Sequence, residues 1–342
     1  MKIDLHATLR THNTFGFDVS ADCLAYLTEV SDIPLFIQKA EEQQAQWQIL
    51  GGGSNLVLAA DLQGYTGLMQ IKGRRLLDQT DTHVFIEVMA GEDWHEFVTW
   101  TLEQGYGGLE NLALIPGTVG ATPIQNIGAY GLELSQVMDS LEAFDTKTKK
   151  WVKLTAAECQ FSYRHSIFKN DPKRYIVSSV CFKLPKLWQP NLTYAELAKA
   201  LAEKIEKKQE ITPKDIFDKV CEIRSAKLPN PKVLGNSGSF FHNPIVTSDQ
   251  YHVLKERFPN LVAYPANPAG SDWKLAAGWL IDQCGFKGYQ SGHVGVYDKQ
   301  ALVLVNHGGG TGKELLALAK QIQAKVFDTF QVQLTIEPVI YS

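Results

Sequence analysis

The sequence has 342 residues, is 44% hydrophobic and 20% charged, and carries a formal net charge of -4. That length leaves room for roughly two or three domains, and so slight an acidic balance draws the chain to neither nucleic acid nor anionic membrane. No apolar run reaches the length of a bilayer span, the first residues lack the apolar core of a signal peptide, and the five cysteines are scattered without a C-x-x-C pair. The expectation is a protein with reduced thiols in the cytoplasm, without a disulfide framework. The nine histidines form no H-E-x-x-H or clustered ligand set, so no metal is expected.

In chain order, the first singular stretch is "GGGSNLVLAAD", residues 51–61. It fails as a dinucleotide fingerprint, because Leu56 stands where the third glycine belongs, and as a P-loop, because no Gly-Lys-Ser/Thr follows. "NLVLAAD" is short and aliphatic and reads as strand. Two readings of the turn stay open, a strand–turn–strand anion nest and a plain hairpin, with the hairpin slightly ahead.

"HVFIEVMAG" (83–91) reads as strand. "EDWHEFVTWTLEQG" (92–105) reads as an amphipathic helix with Trp94, Phe97, Val98 and Leu102 on one face and Gly105 at its C-terminal cap. The densest glycine segment follows, "LENLALIPGTVGATPIQNIGAYG" (109–131), whose many backbone N–H groups need acceptors. A ligand phosphate would provide them, and so would the loop's own backbone. "SYRHSIFK" (162–169) holds Arg164, suited to fork onto a carboxylate or phosphate and equally to a surface salt bridge. Residues 175–184 alternate like a strand that Pro185 ends, and residues 195–210 read as a charged, exposed helix. In "TPKDIFDKVCEIRSAKL", Thr212 is the N-cap, Pro213 the first helical residue, and Asp215 an acid in the first turn.

"LPNP" (228–231) reads as a domain boundary. "GNSGSFFHNP" (235–244) places Ser239 after Gly238, without the G-x-S-x-G pattern of a hydrolase nucleophile. "KLAAGWLIDQCG" (274–285) is a helix capped by Gly285. "HGGGTGKE" (307–314) fails P-loop spacing and opens a helix instead, with Thr311 and Glu314 in a capping-box pattern. The last residues alternate, Val332, Leu334 and Ile336 against Gln333, Thr335 and Glu337, as a half-buried strand does. Strands outnumber what a βαβ repeat needs, so the fold class is α+β in several lobes.

"NTFG", "GGGSNLV", "GLENLALIPGTVGATPIQNIGAYG", "YRHSIFK", "GNSGSFFHNP", "KLAAGWLIDQCG" and "IEP" occur in this order over nearly the whole chain. The set resembles the UDP-N-acetylenolpyruvoylglucosamine reductases, flavoenzymes of peptidoglycan precursor synthesis. The resemblance implies a two-lobed FAD-binding region of vanillyl-alcohol-oxidase type plus a C-terminal α+β substrate-binding domain. By position the lobes are 1–72, rejoined by a strand at 332–342, and 73–228, with the substrate domain at 229–331. FAD would be noncovalent, with contacts at Gly51, Gly52, Gly53, Ser54, Asn55, Ile115, Pro116, Gly117, Gly120, Ala121, Asn126, Gly128, Ala129, Tyr130 and Ile176. NADPH would reduce the flavin, and the reduced flavin would then pass hydride to the vinyl carbon of UDP-N-acetylglucosamine enolpyruvate.

Arg164 and Glu337 then match the residues that stabilise the developing charge, and Ser239 the proton donor to carbon. Tyr194, Lys227, Asn243, Tyr264 and Gln300 match contacts to the nucleotide sugar, with "LTYAEL" pointing to the subtype with a tyrosine loop over the substrate. His242 stands where the family pattern has lysine. A cytoplasmic monomer acting on a small molecule is expected. The alternative is another flavoprotein of the same fold that oxidises a small alcohol or sugar.

Overall fold

Strand Tyr175–Pro185 organises the first half of the protein, and it departs from its expected alternation: residues 176–182 are all buried. The cause is its place in a five-stranded antiparallel sheet, in the order Lys150–Thr155, Met138–Asp145, Tyr175–Pro185, His83–Met89, Arg74–Gln79. Flanked on both edges and covered on both faces, it has no solvent side. Val180, Phe182 and Leu184 enter a core with Trp94 and Phe97, whereas Ile176 joins Phe144, Phe36 and Met69 in another.

The computed structural model describes residues 1–267 and 271–342. The chain divides into two compact units. The first is Met1–Ala7, Ala21–Gly53 and Gln63–Ala226, and the second Thr8–Ser20, Ser54–Leu62 and Lys227–Ser342.

In the first unit, helix Trp94–Glu103 begins where the Asp93 side chain accepts from Glu96 N. Trp94, Phe97 and Val98 are buried as expected, but Thr101 completes the face while Leu102 stays partly exposed. Gly105 takes φ +80°, the left-handed turn that ends a helix. The charged stretch after residue 194 is two short helices, Ala195–Ala200 and Ala202–Glu206, broken at the buried Leu201. Helix Pro213–Lys227 starts as its signals require. Asp215 Oδ2 accepts from Thr212 N at 2.9 Å, and Asp215 N donates to Thr212 Oγ1 at 3.2 Å. A hydrogen bond from Lys204 holds the Asp215 carboxyl down at about 2.

The second unit contains a four-stranded sheet, Gly235–Ser239, Val303–Asn306, Val294–Val296 and Gln290–Ser291, and a three-stranded sheet, Ile245–Thr247, Asp272–Leu275 and Ala263–Pro265. Phe15, Phe17, Phe240 and Phe241 fill its core with Leu318 and Ile322 of helix Gly312–Phe330. That helix carries the expected capping box, with Thr311 Oγ1 and the Glu314 carboxylate satisfying each other's backbone N–H. Thr311→Ala is expected to lower unfolding free energy by about 1 kcal/mol, read as a reduced urea midpoint with an unchanged slope.

Two local readings change. Residues 51–55 are no hairpin turn, because the flanking strands do not pair. Trp47–Leu50 runs parallel to Leu62–Met69, and Leu56–Leu58 runs parallel to Val339–Tyr341. Residues 331–338 keep the expected burial, with Val332 and Leu334 inside, but among the described residues a single bridge, Phe241 to Ile336, stands in for a ladder. Regular pairing begins after Pro338, which has no N–H to donate.

Candidate active site

Two glycine segments of the first unit lie against each other. A Cβ on Gly52 would stand 2.7 Å from Gly117 Cα, and one on Gly51 would stand 2.5 Å from Thr118 Oγ1. Gly53 takes φ +64°. Thr118 Oγ1 is buried without a hydrogen-bond partner among the described residues. Two backbones this close, with a buried hydroxyl beside them, suit an anionic group that takes N–H and O–H donors. The flanking strands rule out the hairpin at residues 51–55, and the close-packed glycines with the buried hydroxyl are compatible with a pyrophosphate.

Much of segment 109–131 finds its partners within the protein. Trp94 N donates to Gly117 O at 3.0 Å, Val119 N to Glu92 O at 2.9 Å, and Gly120 N to Ala90 O at 2.9 Å. Asn126 is fully buried, its Nδ2 donating to Glu133 and to Ser162 O and its Oδ1 accepting from Ser135 N. Its side chain shapes the loop. Ile115, Pro116, Gly117, Gly120, Ala121, Gly128, Ala129 and Tyr130 all keep surface to offer a ligand, whereas Ile176 is inside.

Around the end of this segment the fold gathers charge. Arg164, itself at φ +55°, donates from Nη2 to Gly128 O at 2.9 Å. Tyr130 meets Tyr194 edge to face with ring centroids 5.1 Å apart. Burial pushes the Tyr130 hydroxyl up to about 12, against the pull of Arg224. Arg224, on helix Pro213–Lys227, is held below its ordinary value by burial, and the nearby charge of Arg164 adds to this. Its Nε is buried with no hydrogen-bond partner among the described residues. Arg224 thus feels the charge of Arg164, and a guanidinium suits a carboxylate or phosphate. Sequence reading missed Arg224, because an arginine in "EIRSAKL" looks like any solvent-facing helix residue.

In the second unit, Ser239 ends strand Gly235–Ser239 opposite Val303, after an irregular register and Gly238 at φ +71°. Its side chain is exposed. Glu337 N donates to Phe240 O at 2.9 Å, and His242 N to Thr335 O at 2.9 Å. Ser239 and Glu337 thus stand on neighbouring extended segments. His242 Nδ1 lies 3.6 Å from Glu337 Oε2, with both side chains largely buried. His242 therefore faces the Glu337 carboxylate. Asn243 Oδ1 accepts from Ala277 N at 2.9 Å and caps helix Ala277–Gln283. Gln300 Oε1 accepts from Leu302 N at 3.3 Å, Tyr264 is 55% exposed, and Lys227 ends its helix.

Comparison with known proteins bears on the family and fold of the chain. The profile of the UDP-N-acetylenolpyruvoylglucosamine reductase C-terminal domain matches residues 230–341, and that of an FAD binding domain matches residues 21–154. The UDP-N-acetylenolpyruvoylglucosamine reductase of Polynucleobacter asymbioticus is 51% identical over 339 residues, 99% of this chain and 96% of its own. The chain belongs to the UDP-N-acetylenolpyruvoylglucosamine reductase family. A second family member, from Burkholderia multivorans, is 49% identical over 97% of this chain and 95% of its own. The solved structure of the reductase from Thermus caldophilus covers 100% of this chain and 98% of its own, with a TM-score of 0.65 at 21% identity, which supports the fold. The expected α+β architecture, an FAD-binding region followed by the family's C-terminal domain, holds. The protein is an FAD-dependent oxidoreductase, as the family resemblance implied.

Proposed function

We propose that Arg164, Ser239 and Glu337 carry the chemistry of this reductase, with Arg224 as a further anchor for an anionic substrate. The reaction is the NADPH-dependent reduction of UDP-N-acetylglucosamine enolpyruvate to UDP-N-acetylmuramate, a step toward peptidoglycan. The glycine segments at Gly51–Asn55 and 115–130 would hold FAD, which when bound would supply hydride to the terminal vinyl carbon.

The protein's own task is the charge that results. A hydride on that carbon leaves an electron pair on the carbon beside the carboxylate, spread onto its oxygens. The Arg164 guanidinium forks onto those oxygens, favouring the charged state over the starting olefin. Glu337, in its protonated form, donates a hydrogen bond to the same group; ionised, it would repel it. Ser239 gives its hydroxyl proton to the carbon, and solvent restores that proton later. The carbanion is a far stronger base than an alkoxide, so placement of the hydroxyl limits this step.

The observation behind this reading is the backbone bond from Glu337 N to Phe240 O, which sets a candidate acid next to Ser239 despite their distance in sequence. Tyr194, Lys227, Asn243, Tyr264 and Gln300 would meet the nucleotide sugar, Lys227 and Asn243 at the diphosphate. The enzyme would act as a cytoplasmic monomer, its cofactor lobes at 1–72 and 73–228 and its substrate domain at 229–331.

Anaerobic NADPH is expected to bleach the yellow protein, and the enolpyruvyl sugar nucleotide to restore the colour. Restoration of colour by that compound no faster than in buffer, or bleaching of the oxidised protein by a simple alcohol or sugar, would overturn the assignment.

A further inference from the structure

We propose that His95 is a positioning residue for FAD, holding segment 114–117 in its cofactor-binding shape through the hydrogen bond that Leu114 N donates to His95 Nδ1. The inference rests on the reading that Ile115, Pro116 and Gly117 face the cofactor.

Leu114 sits at φ +58°, a conformation that L-residues adopt at a cost and keep only when surroundings enforce it. The enforcement comes from the first turn of helix Trp94–Glu103. Trp94 Nε1 donates to Leu112 O at 2.8 Å, Trp94 N to Gly117 O at 3.0 Å, and Leu114 N to His95 Nδ1 at 3.0 Å. Two adjacent residues thus clamp the segment at three points. The clamp ends on Gly117, the residue against which Gly52 packs.

The imidazole itself is fixed. It stacks on Phe217 of helix Pro213–Lys227 with ring centroids 5.4 Å apart and planes at 6°. The bond from Leu114 N needs the Nδ1 lone pair, so the ring is neutral with its proton on Nε2. A proton on Nδ1 would replace the acceptor with a donor aimed at another N–H.

The charged groups facing the ring are Asp93 and Glu96 at the start of its own helix and Arg224 from the helix of Phe217; segment 112–117 contributes no ionisable side chain. Burial lowers the ring's proton affinity from its ordinary 6.5, Arg224 lowers it further, and the two carboxylates oppose this. The sign follows. An imidazole whose folded value lies below its unfolded value leaves the clamp intact above pH 6.5, and the clamp is lost as pH falls through the lower folded value.

The test is titration of the apoprotein with FAD, followed by flavin fluorescence from about pH 5 to about pH 8. Wild type is expected to lose affinity about tenfold or more on acidification, as a buried N–H loses its acceptor. His95→Asn keeps an oxygen near the Nδ1 position and has nothing to protonate, so its affinity is expected to stay flat. His95→Leu is expected to bind about tenfold more weakly at every pH. An asparagine variant that tracks the wild-type pH profile, or a leucine variant that binds as tightly as wild type, would overturn the inference. Amide exchange over residues 110–118 separates the clamp from the placement of the segment on the cofactor. Unchanged exchange in His95→Leu defeats the clamp. Faster exchange with unaltered FAD affinity defeats the placement of the segment on the cofactor, and the inference with it.

Discussion

Ser239→Ala is expected to leave NADPH-driven bleaching of the flavin within about twofold of wild type and to slow recolouring by the enolpyruvyl sugar nucleotide by about 10²- to 10⁴-fold. The asymmetry is the point. Hydride transfer from NADPH needs no proton delivered to carbon, whereas the second half of the cycle ends on one. The Ser239 hydroxyl ends strand Gly235–Ser239 and is exposed, so an alanine there removes a proton and creates no cavity. Fold and stability should hold, which a thermal melt checks. Stopped-flow absorbance measures both halves separately. If both slowed alike, the serine would be supporting the cofactor region and not protonating carbon.

Gly52→Ala is expected to give a nearly colourless protein whose FAD affinity is lower by about ten- to a hundredfold. The added methyl would lie 2.7 Å from Gly117 Cα, 3.2 Å from Gly117 C and 3.4 Å from Thr118 N. All three are backbone atoms, which cannot swing aside as a flexible side chain does. Gly52 is not among the residues with positive φ, so alanine strains no dihedral and the whole effect is the wedge between two segments. Wild-type affinity in this variant would rule out an anion nest at these glycines. Loss of FAD together with loss of the helical circular dichroism signal would mean that the fold, and not the nest, had failed.

What the sequence disclosed follows the range of the physics involved. Thr311 with Glu314, and Thr212 with Asp215, act within one turn of helix, and the structure holds them as read. Gly105 and Gly285 both take φ +80°, as a helix end asks of glycine. The misreadings concern partners far along the chain. Residues 176–182 look amphipathic until strands on both sides and cores on both faces bury them. Residues 51–55 look like a hairpin until the strands on either side find partners elsewhere. The site was less legible still. Glycine density marked a place suited to a phosphate, but the candidate chemistry of Arg164, Ser239 and Glu337 came from family resemblance, since a lone arginine, serine or glutamate carries no local signature. Arg224 and His95 left no signal, because their surroundings come from elements joined only by folding.

The second unit is assembled from three separate stretches, and its core holds Phe15, Phe17 and Val57 against residues that begin only at Phe240. On the ribosome those early apolar side chains emerge long before their partners exist. Leu56–Leu58 must wait for Val339–Tyr341 before its edge is paired. Such long-range closure is slow and leaves unpaired edges and apolar surface open to association. The expectation is a nascent chain whose yield falls the longer these surfaces stay without their partners.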